Sequence, residues 1–198
     1  MEVETLREKT GESIGLRISK PFGRRLVELA GIRKGNLVLD VGTGLGPVFF
    51  PALEKVGSDG VVACVDISDE MATETHTVIN GAAYCNAIIV KSDAKSLTFR
   101  DNAFDFVLSG FSYIYSSLEE IKRVLKGGGR FGLSSWAALG DMDFKVRFAK
   151  RYLPISSEDL YYRDTPTALK ILLRKAGFKD IRVFAETHEF VFKDEKQW

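Results

Sequence analysis

Short runs of aliphatic and β-branched residues alternate along this chain with longer stretches in which apolar residues recur every three or four positions. The first kind of run predicts strands at "NLVLDV" (36–41), "GVVACVD" (60–66), "AIIVKS" (87–92), "FDFVLSG" (104–110), "GRFGLSSW" (129–136) and "IRVFAETHEFVF" (181–192). The first four are nearly continuously apolar, as strands covered on both faces must be. Helices are predicted between them. "RRLVELAGI" (24–32) precedes the first strand, and another helix begins near Pro47. "SDEMATETHTVINGA" (68–82) opens on Ser68 as N-cap. "SLEEIKRVLKGGG" (117–129) pairs Ser117 with Glu120 in a capping box and stops after Lys126. "TPTALKILLRKAGF" (165–178) has Thr165 as cap, Pro166 at the first helical position and Gly177 at its end. A further stripe, Phe144, Phe148 and Tyr152, suits core or lid packing. Strand–helix alternation of this kind predicts an α/β fold with a doubly wound, mostly parallel, Rossmann-like sheet.

Length and charge narrow the picture only a little. At 198 residues the chain is expected to form a single domain, with a helical segment over 1–35, a ligand-binding core over 36–136 and substrate-side helices with a C-terminal strand over 137–198. A net charge of +1 gives no global field toward nucleic acid or an anionic membrane. No apolar run approaches the ~20 residues of a spanning helix, and the N-terminal "MEVETLREKTGE" lacks the apolar stretch of a signal peptide. Cys64 and Cys85 have no metal-ligand spacing, and neither has His76 or His188. No metal is expected, and a reduced, cytoplasmic setting fits the two thiols.

The chemistry begins at "VLDVGTGLGP" (38–47), a strand ending in Asp40 and followed by Gly42, Gly44 and Gly46. Such a turn lets a ligand approach the main chain, and the helix start behind it presents free N–H groups. The spacing is G-x-G-x-G, with Pro47 where a dinucleotide fingerprint has its third glycine, and no Walker lysine follows. Asp66 ends the second predicted strand, twenty residues beyond Gly46, where a carboxylate can accept from ribose hydroxyls. Asp93 follows the third strand, where a carboxylate can accept from an exocyclic adenine amine or act as a turn residue. In a parallel sheet these three strand ends open into one crevice.

With the stretches "VLDVGTGLG", "VVACVDISDEM", "KSDAKSLTFRDNAFDFVLSG" and "EIKRVLKGGGRFGLSSW", residues 38–136 resemble the class I S-adenosylmethionine-dependent methyltransferases, in the small-molecule branch that includes quinone-biosynthesis enzymes. The resemblance implies S-adenosylmethionine as cofactor and S-adenosylhomocysteine as its product. Asp40 and the loop Gly42, Thr43, Gly44 and Gly46 would hold the methionine part. Asp66 would take the ribose, Ile67 and Met71 would line the nucleoside, and Asp93 with Ala94 would meet the adenine. Ser109 and Gly110 would face the methionine amine and the substrate. Thr98 and Gly127 stand where the family commonly has prolines, and "GFSYIY" (110–115) lacks the family's histidine-rich segment.

No residue is assigned a catalytic role, because a sulfonium donor mainly needs positioning and exclusion of water. Tyr113, Tyr115 and Trp136 are read as packing. The fourth strand ends in "SGFS" rather than Asn-Pro-Pro-aromatic, which favours a small organic acceptor. The basic-aromatic stretches "ISKPFGRR" (18–25) and "FKVRFAKRY" (144–152) leave RNA as an alternative partner. Two further readings stay open, a cofactor-binding relative without turnover and a nicotinamide-dependent oxidoreductase. Class I enzymes close their sheet with an antiparallel last strand. Either 181–192 folds back as a hairpin that supplies both end strands or the last strand is missing; the expectation here is that it is missing, and that the edge so exposed favours a homo-oligomer.

Overall fold

The computed structural model describes residues 14–81, 84–136 and 165–188. They fall into two compact units, one running up to Ser134 and one within Ser135–His188.

The first unit begins with α1 (Ile14–Ala30), a helix longer than its predicted core and carrying Pro21 within it. Then come β1 (Leu37–Val41), α2 (Phe49–Val56), β2 (Val61–Asp66), α3 (Asp69–Gly81), β3 (Ala87–Lys91) and β4 (Phe104–Gly110). A 3₁₀ turn (Tyr115–Ser117) leads into α4 (Leu118–Val124) and β5 (Leu125–Ser134). The strands form one parallel sheet in the order β3-β2-β1-β4-β5. This is the doubly wound, Rossmann-like class I arrangement expected. The chain runs outward from β1 through α2 and α3 to β3, then returns to the other side of β1 at β4, and the near-universal right hand of such crossovers puts the connections of the two halves on opposite faces. The switch point therefore lies between β1 and β4.

Burial follows the predicted runs in β1, β2 and β4; β3, expected to be covered on both faces, is only half-buried because it stands at the end of the strand order, and Ile88 is 46% exposed. Val38, Leu39, Val41 and Val62 to Val65 are essentially sealed, as are Val107 and Leu108. Val38, Val62, Cys64, Phe106 and Leu108 pack under Val48, Phe49, Ala52, Leu53 and Val56 at and along α2, with Leu26 and Val27 of α1 completing this layer. Because side chains alternate along a strand, Asp40 shares the face of Val38, and its register partners are Cys64 and Leu108. A carboxylate is thus carried into an apolar layer.

Three local expectations are corrected. The helix predicted from Ser117 to Lys126 ends at Val124, and the strand begins at Leu125, four residues earlier than predicted. Leu125 pairs opposite Phe104, a register shift intervenes before Phe106, and Gly128, at φ +78°, takes the bend. The capping box does not form, since Ser117 makes no side-chain cap bond. Glu120 instead accepts from the Leu97 N–H at 2.8 Å and holds Arg123 through both carboxylate oxygens, also at 2.8 Å. A bidentate charged partner is a stronger attraction than a local cap. Third, residues 181–188 are not a strand and have no ladder partner among the described residues.

In the second unit α5 (Pro166–Lys175) starts as predicted, with the Ala168 N–H donating to the Thr165 hydroxyl at 3.2 Å. Its C-terminal glycine, Gly177, lies at φ +84°. The stripe Phe144, Phe148 and Tyr152 and the basic stretch 144–152 lie outside the described residues. No helix among those described is long and apolar enough to cross a membrane.

Candidate functional site

The parallel register brings Val41, Asp66, Lys91, Gly110 and Ser134 to one edge of the sheet. The glycine loop rises there between β1 and α2. Gly42, Gly44 and Gly46 all have positive φ, at +72°, +52° and +78°. Two are also closed to side chains: a Cβ on Gly42 would meet the Ser112 side chain, and one on Gly46 the Phe50 ring. Gly44 differs, because its missing Cβ points into open space. Gly110 is needed for close approach, since a Cβ there would come within 2.8 Å of Val48. The helix expected from Pro47 starts two residues later, at Phe49, with no side-chain cap on its first turn.

Asp40 lies beneath this loop, 1% exposed, and neither of its carboxylate oxygens has a hydrogen-bond partner. Burial pushes its pKa up from 3.8 to about 7, and Asp66 nearby adds to the rise. The Thr43 hydroxyl and the Phe49 N–H lie near enough to favour the charged form, yet neither completes a hydrogen bond to it. Thr43, 2% exposed, is likewise left with an unpartnered hydroxyl. Unpartnered buried polar groups are uncommon and costly, and two side by side under a glycine loop mark a place prepared for a polar ligand. Cys64, across β2 from Asp40, has its thiol pKa pushed up by burial and by Asp40, so it is an inert core residue.

Asp66 is engaged at both oxygens, accepting from the Gly44 N–H at 2.8 Å and the Ser68 N–H at 3.0 Å. It therefore ties the glycine loop to the end of β2, while each oxygen keeps a further lone pair. Ile67, beside it, is 67% exposed and puts an apolar side chain next to that carboxylate. Met71 is half-buried in the first turn of α3, where its N–H reaches the Ser68 hydroxyl at 3.4 Å. Asp93 is exposed and closes a turn, accepting from the Lys95 N–H at 2.9 Å, with Ala94 half-buried between them. Ser109 is fully buried, and its hydroxyl donates to the Val41 carbonyl at 2.8 Å, joining β4 to β1.

Sequence reasoning missed three polar residues at this edge. Ser112 donates to the Gly42 carbonyl at 3.0 Å, and Thr75 of α3 donates to the Gly44 carbonyl at 2.9 Å. Ser134, at the end of β5, has a buried, unpartnered hydroxyl. A lone Ser or Thr carries no pattern that would have picked these out. Tyr113 and Trp136 are 64% and 40% exposed, so neither lies in the core. Arg24 and Arg25 of the first basic stretch pair with Glu54 and Glu28 at 3.1 and 3.2 Å, so they do not form a bare cationic face. No group of three or more metal-ligating side chains occurs among the described residues.

Comparison with known proteins gives a consistent result. Residues 8–155 match the ubiE/COQ5 methyltransferase family. The chain is 34% identical over 131 residues to the aklanonic acid methyltransferase DauC of Streptomyces sp. (strain C5), covering 64% of this chain and 60% of that protein. It is 35% identical over 119 residues to the ubiquinone/menaquinone biosynthesis C-methyltransferase UbiE of Hydrogenovibrio crunogenus, covering 57% of this chain and 47% of that protein. It thus spans 60% and 47% of the lengths of these two relatives. Among solved structures, a SAM dependent methyltransferase from Aquifex aeolicus superposes with a TM-score of 0.65 at 25% identity, over 81% of each chain.

Proposed function

Since the chain belongs to the ubiE/COQ5 methyltransferase family, we propose that it is an S-adenosylmethionine-dependent methyltransferase acting on a small organic acceptor. The observation that carries this reading is the unpartnered Asp40 carboxylate, buried under a loop whose central glycine opens into free space. These residues fit the cofactor. A buried anion without a partner suits the cationic amine of an amino acid, and Gly44 leaves room for it beside the main chain. Asp40, Gly42, Thr43, Gly44 and Gly46 would hold the methionine part and Asp66 the ribose hydroxyls. Ile67 and Met71 would cover the nucleoside, Asp93 and Ala94 would recognise the adenine, and Ser109 and Gly110 would shape the floor toward the acceptor.

When bound, S-adenosylmethionine supplies a methyl group already activated on sulfonium, for in-line displacement by the acceptor. The chain's own residues bind and orient. Asp66 holds the Gly44 N–H and so fixes the loop against β2 before any ligand arrives. Ser109 joins β4 to β1, which keeps the two halves of the crevice at constant spacing. Exposed Ile67 would give the nucleoside an apolar contact and help exclude water from it. Residues 137–198 would carry the acceptor side. The names of the two relatives, an aklanonic acid and a quinone-biosynthesis methyltransferase, support a small aromatic or polyketide-like acceptor. The pairing of Arg24 and Arg25 weighs against RNA. Free thiols at Cys64 and Cys85 suit a cytoplasmic location.

The test is transfer of labelled methyl from S-adenosylmethionine to a panel of phenols, hydroquinones and polyketide acids, with Asp40→Asn as control. Label on at least one acceptor, lost in the variant, supports the reading. Cofactor binding with no transfer to any acceptor would instead support a binding protein without turnover.

A further inference from the structure

Helix α3 carries three threonines at alternate positions, Thr73, Thr75 and Thr77. Two behave as helical threonines ordinarily do, bonding the carbonyl four residues back: Thr73 to Asp69 at 2.8 Å and Thr77 to Thr73 at 2.9 Å. Thr75 does not. It is 2% exposed, and its hydroxyl leaves the helix to donate to the Gly44 carbonyl at 2.9 Å. Asp66 already holds the Gly44 N–H, so both backbone groups of the central glycine are fixed from outside the loop.

The rest of the loop's hydrogen bonding shows what this achieves. The carbonyls of Val41, Gly42, Thr43 and Gly44 take donors from Ser109, Ser112, the Gly46 N–H and Thr75. The N–H groups of Gly42 and Thr43 donate to Val65, that of Gly44 to Asp66 and that of Gly46 to Thr43. The Leu45 N–H has no acceptor among the described residues. It belongs to the same peptide unit as the Gly44 carbonyl. That peptide is planar and trans, so its C=O and N–H point in opposite directions. With the carbonyl drawn toward α3, the N–H is turned away from α3. The glycine loop thereby holds one fixed, unengaged N–H, and the buried Asp40 carboxylate lies at the foot of the same loop; a donor and a carboxylate together are what a zwitterionic α-amino acid group requires.

We infer that Thr75 is a positioning residue for the amino-acid end of the adenosyl ligand, acting by orienting the Gly44–Leu45 peptide. The inference rests on the proposed function and specifies a residue that the glycine motif does not contain. Thr75→Val keeps the side chain's shape and removes its donor, and Thr75→Ser keeps the donor. The probes are S-adenosylhomocysteine, which has the amino-acid end, and 5′-methylthioadenosine, which lacks it, both titrated calorimetrically against the full chain.

Thr75→Val should bind S-adenosylhomocysteine about tenfold more weakly, the effect of one lost orienting hydrogen bond. Binding of 5′-methylthioadenosine should be unchanged, and Thr75→Ser should restore the first affinity. Thr75→Ala, which cannot crowd the neighbouring packing, should show the same split, while Thr73→Val and Thr77→Val should leave both affinities alone. Equal loss for the two ligands, or no loss for S-adenosylhomocysteine, overturns the inference while the proposed function stands. Failure of the wild-type chain to bind either ligand overturns both.

Discussion

Asp40→Asn is the substitution in which stability and binding should part company. The folded chain raises this carboxyl from 3.8 to about 7, chiefly through burial. An acid whose pKa is higher folded than unfolded has a stabilising contribution that is fully present below the unfolded value. That contribution is lost as pH rises through the folded value. Above pH 7 the ligand-free protein therefore bears the whole cost of a buried, unpartnered anion. Three pKa units at 1.36 kcal/mol each set a ceiling of about 4 kcal/mol at pH 8. At pH 5 the same linkage leaves about 1.5 kcal/mol, because the folded form is then protonated while the unfolded chain is mostly ionised. Asparagine has the same shape and no charge. The variant should melt higher than wild type at pH 8, by about 10 °C at the ceiling for a chain of this size, and the gap should shrink by more than half at pH 5. The same variant should bind S-adenosylhomocysteine about 10- to 100-fold more weakly, having lost a charged acceptor. Scanning calorimetry without ligand at the two pH values, with a ligand titration at pH 8, measures both. A variant less stable than wild type at pH 8, or a gap independent of pH, would refute the argument that Asp40 is held for a ligand at the expense of the fold.

Other substitutions separate loop geometry from loop use. Gly42→Ala should lower stability by at least ~1 kcal/mol in urea unfolding, since it combines positive φ with a clash against Ser112. Gly44→Ala meets no neighbouring atom, so it should stay folded and lose adenosyl-ligand affinity in a fluorescence titration. Arg123→Ala removes donors from the Leu97 and Phe99 carbonyls and from Glu120 and Asp101, and should cost about 2–3 kcal/mol at pH 7. Its bond to Arg123 lowers the Glu120 pKa from 4.5 to about 2. The stability this gives is present above pH 4.5 and lost as pH falls toward 2, so the cost of Glu120→Gln should fade over that interval in acid unfolding. Asp66→Ala frees the Gly44 and Ser68 N–H groups together and should weaken adenosine binding as well as S-adenosylhomocysteine binding, in contrast to Thr75→Val.

What could be read from the sequence was what depends on pattern. Five of the six predicted strands stand: β1, β2 and β4 are apolar runs sealed almost throughout, while β3 and β5, at the two ends of the strand order, are only partly buried, and Asp40 and Asp66 come to one edge because parallel strands end together. The sixth run is not a strand over 181–188, the part of it that is described: it has the right composition, but a strand exists only with a ladder partner, and composition says nothing of that. The capping box failed for a similar reason. Ser117 and Glu120 have the right spacing, yet Glu120 has a stronger partner in Arg123 and a backbone N–H at Leu97 to hold. The glycine loop was legible, but its hydroxyl clamps were not. Thr75 lies 31 residues from Gly44 and Ser112 lies 70 from Gly42, and a hydroxyl's partner is decided by packing. Nor could sequence show that Ser109 would be engaged with Val41.

The most direct test of the account is calorimetric titration of the wild-type chain with S-adenosylmethionine, S-adenosylhomocysteine and NAD. The account predicts one-site binding of both adenosyl ligands and none of NAD, because the loop has Pro47 in place of a dinucleotide glycine and Asp40 awaits a cationic amine. Binding of NAD alone, or of none of the three, would contradict it.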